Sequence, residues 1–169
     1  MKILTSERVR LVPLSEAHES EFVRLANIPE INRRVNKPPF YSQAHFSELL
    51  SHPQHAKTRL IWMIEQNARV VGAINTAASG RDGRMFQGGY WIDPAFWGQG
   101  IASAALLLVK THLLEERGAE RVQALVEPDN GASIRVLEKC GYEREGLLRK
   151  FYPSVDRGLI DVFMYASIA

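Results

Sequence analysis

The chain has 169 residues, 46% of them apolar and 24% charged, with a formal charge of +2. Those proportions describe one ordinary globular core and exclude a disordered or fibrous chain. A pI near 8.8 falls short of the dense Lys/Arg face of a nucleic-acid binder, so no nucleic-acid partner is expected. The longest apolar run, residues 101–109, is interrupted by Ser103 and stops at Lys110, short of the ~20 residues of a membrane span. The N-terminus carries no apolar segment of signal-peptide length, and Cys140 is the single cysteine, which excludes an internal disulfide. One domain over residues 1–169, in the cytoplasm and without a membrane partner, is the expectation.

Residues 8–14 alternate polar and apolar side chains as a strand does, and Ser15 can cap a helix running to about residue 26. Pro29, Pro38 and Pro39 punctuate the next stretch, after which Ser42 can cap a second helix with Phe46, Leu49 and Leu50 on one face. Two β-prone runs, residues 60–65 and 69–75, flank a short polar turn and predict a hairpin. A turn-rich loop over residues 79–84 leads to a third strand over 85–92, and three consecutive strands imply antiparallel pairing. After Asp93-Pro94 the pattern becomes that of a buried helix over residues 102–116, with Gly118 to end it. A strand over 121–127, a turn, and a helix over 133–140 stopped by Gly141 follow; Asn130 is its candidate N-cap. Residues 142–148 and 161–168 read as two closing strands.

The segment Phe96-Trp97-Gly98-Gln99-Gly100-Ile101-Ala102-Ser103 is a glycine-spaced turn between a strand and a buried helix. Glycines let backbone approach a phosphate closely, and free N–H groups at a helix start favour negative charge. A pyrophosphate suits this turn, although tight strand-to-helix packing alone also calls for small residues. One strand later comes Glu127-Pro128-Asp129-Asn130-Gly131-Ala132-Ser133-Ile134-Arg135-Val136-Leu137-Glu138-Lys139-Cys140-Gly141-Tyr142.

Together the two segments resemble the GNAT (GCN5-related) N-acetyltransferase superfamily, through its Gly-x-Gly-x-Ala pyrophosphate loop and its Asn-x-x-Ser/Ala helix ending in Lys-x-Gly-Phe/Tyr. The wording Tyr90-Trp91-Ile92-Asp93-Pro94 before Trp97-Gly98-Gln99-Gly100 looks like the ribosomal-protein N-terminal acetyltransferase branch. The resemblance implies an α/β fold with a mixed, mainly antiparallel sheet of six to seven strands flanked by about four helices. It implies acetyl-CoA as co-substrate without a metal, a primary amine as acceptor, and a monomer or homodimer. Ile92 and the backbone of Trp97, Gly98, Gln99, Gly100, Ile101, Ala102 and Ser103 would hold the acetyl group and pyrophosphate. Asn130 and Ser133 would lie along the pantetheine and thioester sulfur, and Lys139 or Arg135 would meet phosphate near the adenine end.

Two positions depart from the superfamily pattern. Trp97 stands where the loop usually opens on Gln or Arg, which leaves the backbone cradle intact. Leu137 stands where many members place a general-acid tyrosine; in the ribosomal branch a serine takes that role, and Ser133 matches it. A departing thiolate with a conjugate pKa near ~8.5 needs only a hydrogen bond or a water-borne proton. The alternative role for Ser133 is to help Asn130 satisfy free amides of the first turn. Tyr152 lies where the ribosomal branch can carry a polar catalytic group, against a structural tyrosine, and Asp161 reads as a strand-end charge.

No general base is assignable, because Gln87-Gly88-Gly89-Tyr90 has no glutamate. An α-amine with pKa near ~8 is roughly a tenth neutral at pH 7, a lysine amine about 0.04%. The lean is therefore to an N-terminal α-amine of a ribosomal or other protein, with a small-molecule amine (polyamine or aminoglycoside type) as the alternative. The histidines form no His-Glu-x-x-His pattern, and Pro53 spoils the His52/His55 pair as a metal site. Trp62, Trp91 and Phe96 read as core aromatics, with the acyl pocket as the other place for Trp91. Arg33, Arg34 and Lys37 read as solvated, with facing the substrate as their other role.

Two rival readings carry different tests. Gly98-x-Gly100-x-x-Ser103 nearly fits a dinucleotide fingerprint, but the third glycine is Ser103 and no repeated βαβ half follows. A non-catalytic acyl-CoA-binding module is the other.

Overall fold

The computed structural model describes residues 1–34, 40–52, 58–80, 82–154 and 156–169. Lys37, Pro38, Pro39, Arg81 and the pairing of His52 with His55 lie outside the described residues. Eight strands form one sheet in the order β1-β2-β3-β4-β5-β6-β8-β7. In chain order these are β1 (Leu4–Thr5), β2 (Arg10–Pro13), β3 (Arg59–Gln66), β4 (Arg69–Ser79), β5 (Met85–Ile92), β6 (Arg121–Val126), β7 (Glu143–Ser154) and β8 (Gly158–Ile168). Among the described residues five α-helices accompany them: α1 (Glu19–Ala26), α2 (Pro29–Asn32), α3 (Gln43–Ser51), α4 (Ile101–Thr111) and α5 (Gly131–Lys139). The class is as expected, with eight strands where six to seven were expected and five described helices where about four were.

The extra strand is β1, whose two residues are too few to show a period. The closing hairpin is also longer than expected: β7 passes Leu148 to reach Ser154, and β8 starts at Gly158 instead of Asp161. The interruption in the pattern is a bulge between Leu148 and Tyr152, where Lys150 takes a φ of 46° and its N–H donates to Asp161 Oδ1 at 2.8 Å. Asp161 is thus the partner of a strained turn of backbone. The expected hairpin between β3 and β4 turns on Asn67 and Ala68, both at positive φ (50° and 60°), which matches the twist of the flanking strands.

Alternation along the strands divides the core between two faces. Leu11, Trp62, Ile64, Ile92 and Phe86 pack with Ile101, Ala105 and Val109 of α4 and Leu137 of α5. Val12, Met63, Ala73 and Trp91 face Phe22 and Leu25 of α1 and Phe46 of α3. Trp91 meets Phe22 edge-on at 5.3 Å, so it belongs to that second core. Ser15 precedes a single 3-10 turn before α1, and Ser42 caps α3 by accepting from the His45 N–H. Beyond Thr111 the apolar helix continues as a π turn over His112–Glu116, with His112 buried edge-on to Trp62 and bonded to Glu116 at 3.1 Å.

The feature that positions the site is the pairing of β5 with β6. It is the one parallel contact among the described strands and lasts three residue pairs, Met85↔Arg121 to Gln87↔Gln123. Gln123 donates to Gln87 at 2.8 Å and accepts from Arg121, which in turn grips Glu145 with two donors. Beyond Gln87 the strands part. Gly72 and Gly88 let β4 and β5 approach closely, since a Cβ on Gly88 would stand 2.1 Å from the Asn75 carbonyl and one on Gly72 2.3 Å from that of Trp91.

Candidate active site

The opening between β5 and β6 inherits its chemistry from strand alternation. The Asp93 N–H donates to Val71 of β4 at 2.8 Å, so the N–H groups of Tyr90 and Ile92, beyond the last pairing with β6, face away from β4 and into the opening. The Ile92 carbonyl on that side accepts the Trp97 indole N–H at 2.8 Å, while its N–H stays directed at the opening. Asp93 then caps a short turn by accepting from Ala95 at 3.0 Å, and the chain enters the glycine-spaced loop.

Gly98 and Gly100 both take left-handed φ, 75° and 74°. Gly100 is the N-cap of α4 and brings no side-chain cap; the first intrahelical bond is Ala104 N–H to the Gly100 carbonyl at 3.0 Å. The amides of Ile101, Ala102 and Ser103 therefore have no acceptor within the helix and add to its positive end, an anion cradle made of backbone. The Ile101 side chain is buried in the core, so this residue contributes its amide alone. Ser103 is likewise buried, and its carbonyl accepts from the Cys140 thiol at 3.5 Å. Burial pushes the thiol pKa of Cys140 up, as suits a small buried side chain without nucleophilic duty.

Two cations flank the cradle in a cleft of about 510 Å³ lined by Arg8, Gly98, Gln99, Gly100, Ser103, Ala104, Leu107 and Lys139. Lys139 lines this cleft, while the Arg135 guanidinium lies over Gly131 of its own helix. Arg8 had no sequence signal. It arrives from ahead of β2 and donates to the Gln99 carbonyl at 2.8 Å, turning that carbonyl away from an anion and adding a positive charge. A larger groove of about 890 Å³ runs along the neighbouring flank of α4, shares Arg8, Ala104 and Leu107, and includes neither Ser133 nor Tyr90.

On the far side of the opening, Asn130 caps α5 by accepting the Ser133 N–H at 3.2 Å. The Ser133 hydroxyl takes no part in the cap. It accepts from the Tyr90 hydroxyl at 3.3 Å, a contact that joins β5 to α5. Burial, opposed in part by the bond to Ser133, pushes the Tyr90 pKa up to about 12. Leu137 is buried in the core, so helix α5 offers no hydroxyl there. The Tyr142 hydroxyl is buried without a partner among the described residues, and its pKa is raised, chiefly by burial.

Tyr152 is not brought to Ser133 by any hydrogen bond among the described residues. It sits opposite Ile160 in the closing hairpin, with its pKa raised by burial and then by the charge of Glu127. Glu127, just past the end of β6, is tied through Oε2 to Arg34 at 3.2 Å and to Arg157 at 2.9 Å. Arg34 also holds Asp129 at 2.6 Å, and that bond, followed by the Arg34 charge, lowers the Asp129 pKa. Arg34 is therefore a half-buried bridge, correcting the expectation of a solvated side chain; Arg33 is exposed as expected. No cluster of three or more metal-ligating side chains exists among the described residues, and no described helix is long and apolar enough to cross a membrane.

The acetyltransferase (GNAT) domain model matches residues 8–143. An N-acetyltransferase of Bacillus licheniformis, p20, is 24% identical over 98% of this chain and 96% of its own length. Among solved structures, RimL, a ribosomal L7/L12 alpha-N-protein acetyltransferase in complex with coenzyme A, superimposes with a TM-score of 0.86 at 24% identity, covering 99% of this chain and 98% of the other. Spermidine N-acetyltransferase from Vibrio cholerae, in complex with CoA and spermine, shares the fold with a TM-score of 0.85 at 17% identity, over 96% of each chain.

Proposed function

Because this chain belongs to the GNAT acetyltransferase family, and is an acetyl-CoA-dependent N-acetyltransferase, we propose that its acceptor is the α-amine at the N-terminus of a protein. The observation that carries this reading is the state of Glu127. This carboxylate, at the mouth of the opening, is committed to two guanidinium groups, and β5 supplies no glutamate over residues 87–90. Water must then take the amine proton, which suits an α-amine of pKa ~8 far better than a lysine-like or polyamine nitrogen near ~10.4. The same ion pairs offset the negative charge of Glu127 and Asp129, a poor setting for a polycation.

The residues fit the co-substrate in defined roles. The backbone of residues 97–103 and the cations Arg8 and Lys139 would receive the pyrophosphate; the N–H groups facing out of β5 would polarise the acetyl carbonyl. Ser133 would donate a hydrogen bond to the departing sulfur, and Asn130 would keep that helix end in register. The amine nitrogen attacks the carbonyl carbon, the C–S bond breaks, and the amine proton leaves to water. Tyr152, beside Glu127, would line the acceptor side, without a proton-transfer role. The setting would be the cytoplasm.

The test is thiol release from acetyl-CoA with peptides beginning in Ser, Ala, Thr or Asp, with the same peptides blocked at the α-amine, and with polyamines and aminoglycosides. Peptide turnover that vanishes on blocking is the expected result. Faster turnover of a polyamine or aminoglycoside than of any free peptide would overturn the proposal for the acceptor.

A further inference from the structure

Resting on the reading that acetyl-CoA brings its thioester beside Ser133, we propose that Tyr90 is a positioning residue for thiol departure: its hydroxyl donates to Ser133 Oγ and turns the serine's own proton toward the sulfur.

Tyr90 shares a strand face with Phe86 and Ile92, the face covered by α4 and α5, so its side chain rises against α5 instead of into the second core. There its hydroxyl reaches Ser133 Oγ at 3.3 Å. That distance is long for a hydroxyl pair, whose settled value is ~2.7–2.8 Å, and catalytic hydrogen bonds commonly tighten only with substrate bound. Ser133 has been relieved of the duty a first-turn serine usually carries, because Asn130 already accepts its N–H. A serine hydroxyl offers one donor and two acceptor sites. With Tyr90 filling an acceptor site, the donor is left for a group in the opening.

The Tyr90 hydroxyl donates to Ser133 Oγ, and burial, which pushes its pKa up to about 12, keeps that proton in place at any working pH. Leu137, buried in the core, cannot supply the hydroxyl, so the strand supplies through Tyr90 what α5 lacks. The proton balance is simple. C–N forms, C–S breaks, and the electron pair goes to sulfur. Tyr90 and Ser133 both keep their protons, and the thiolate, held by the Ser133 O–H, is protonated from water.

The prediction can be read without any acceptor. Coenzyme A is bound to the protein and its thiol titrated by the ultraviolet absorbance of the thiolate. In the parent the bound thiol should titrate below its ordinary ~8.5. Tyr90→Phe and Ser133→Ala should each cut the thiolate fraction at a fixed pH by about 3- to 10-fold, the scale of one charge-assisted hydrogen bond. The double variant should be no worse than Ser133→Ala. Ser133→Thr, which keeps a hydroxyl, should return the parent titration. Tyr142→Phe, which removes a buried hydroxyl with no partner among the described residues, should leave it unchanged and so controls for loss of a tyrosine hydroxyl.

A parent-like thiol pKa in folded Tyr90→Phe, or additive losses in the double variant, would overturn the role of Tyr90 while leaving the cofactor reading intact. An ordinary thiol pKa in the parent complex would do the same for the Tyr90–Ser133 device. Failure of the parent to bind coenzyme A at all would instead bring down the cofactor reading and this inference with it.

Discussion

The two sides of the opening are assembled from different lengths of chain. On the proposed reading the cofactor side is nearly continuous: residues 92–103 and 130–139 would supply the cradle, its helix start, the Asn130 cap and Ser133. The acceptor side would be put together from Arg34, Glu127, Asp129 and Arg157, and the Arg34–Glu127 bridge spans 93 positions of sequence. A phosphate is recognised by local backbone geometry, which a short motif can encode. The acceptor entrance depends on which distant charges cancel, which only the complete sheet decides.

Variants that separate binding of acetyl-CoA from use of the acceptor sharpen that contrast. The largest effect is expected from Gly100→Val, since a β-branched residue is strained at a φ of 74° and its side chain would crowd the cradle: acetyl-CoA affinity measured by calorimetry should fall about 100-fold or more. Retained affinity would dissolve the contrast, because the cradle would not be made of local backbone. Next, Ser133→Ala should lower kcat about 10- to 100-fold while the KM for acetyl-CoA stays within about twofold. A rise in KM with an unchanged kcat would make Ser133 a binding residue.

The pH dependence tests the acceptor side. With an α-amine acceptor, kcat/KM should climb about tenfold from pH 7 to 9 as the amine loses its proton. The Tyr90 hydroxyl contributes no falling limb in that range: its pKa is raised, so the protonated form extends upward to about 12. A bell centred near neutrality would point to a titrating acid elsewhere in the enzyme. Arg34→Ala should raise the KM for a peptide acceptor about fivefold and leave acetyl-CoA affinity unchanged, because a half-buried carboxylate at the entrance loses a partner. The smallest effect is expected from Arg8→Ala, about a threefold weakening of acetyl-CoA binding that shrinks as salt is added, since this guanidinium is exposed.

The same contrast explains what could be read from the residues alone. The turn from Gly98 to Gly100, the Asn130 cap and the stop at Gly141 are local signals, and each occurs where its residue type leads one to look. The Ser42 cap and the β3–β4 turn are legible for the same reason. Arg8 carries no such signal, because its partner, the Gln99 carbonyl, is 91 residues away. Tyr90 carries no such signal either, because its partner Ser133 is 43 residues away on α5. The bulge at Lys150 hid the outer half of β7: the charged pair Arg149-Lys150 and Pro153 break the alternation there, and the Asp161 carboxylate restores pairing beyond it. Residues 102–116 read as one helix, and the period gives no warning that its last turn loosens into a π turn at His112.

The bond from the Trp97 indole to the Ile92 carbonyl has an optical consequence. Of the three tryptophans, Trp62 and Trp91 are buried at 0% and 7% exposure, while Trp97 is 56% exposed. Emission of the first two should be blue-shifted and quencher-resistant, leaving Trp97 to supply the red, quenchable component. That indole opens the glycine-spaced loop, so if acetyl-CoA is held there as proposed, the native protein carries its own fluorophore for the arrival of the nucleotide, readable by stopped flow with no label attached.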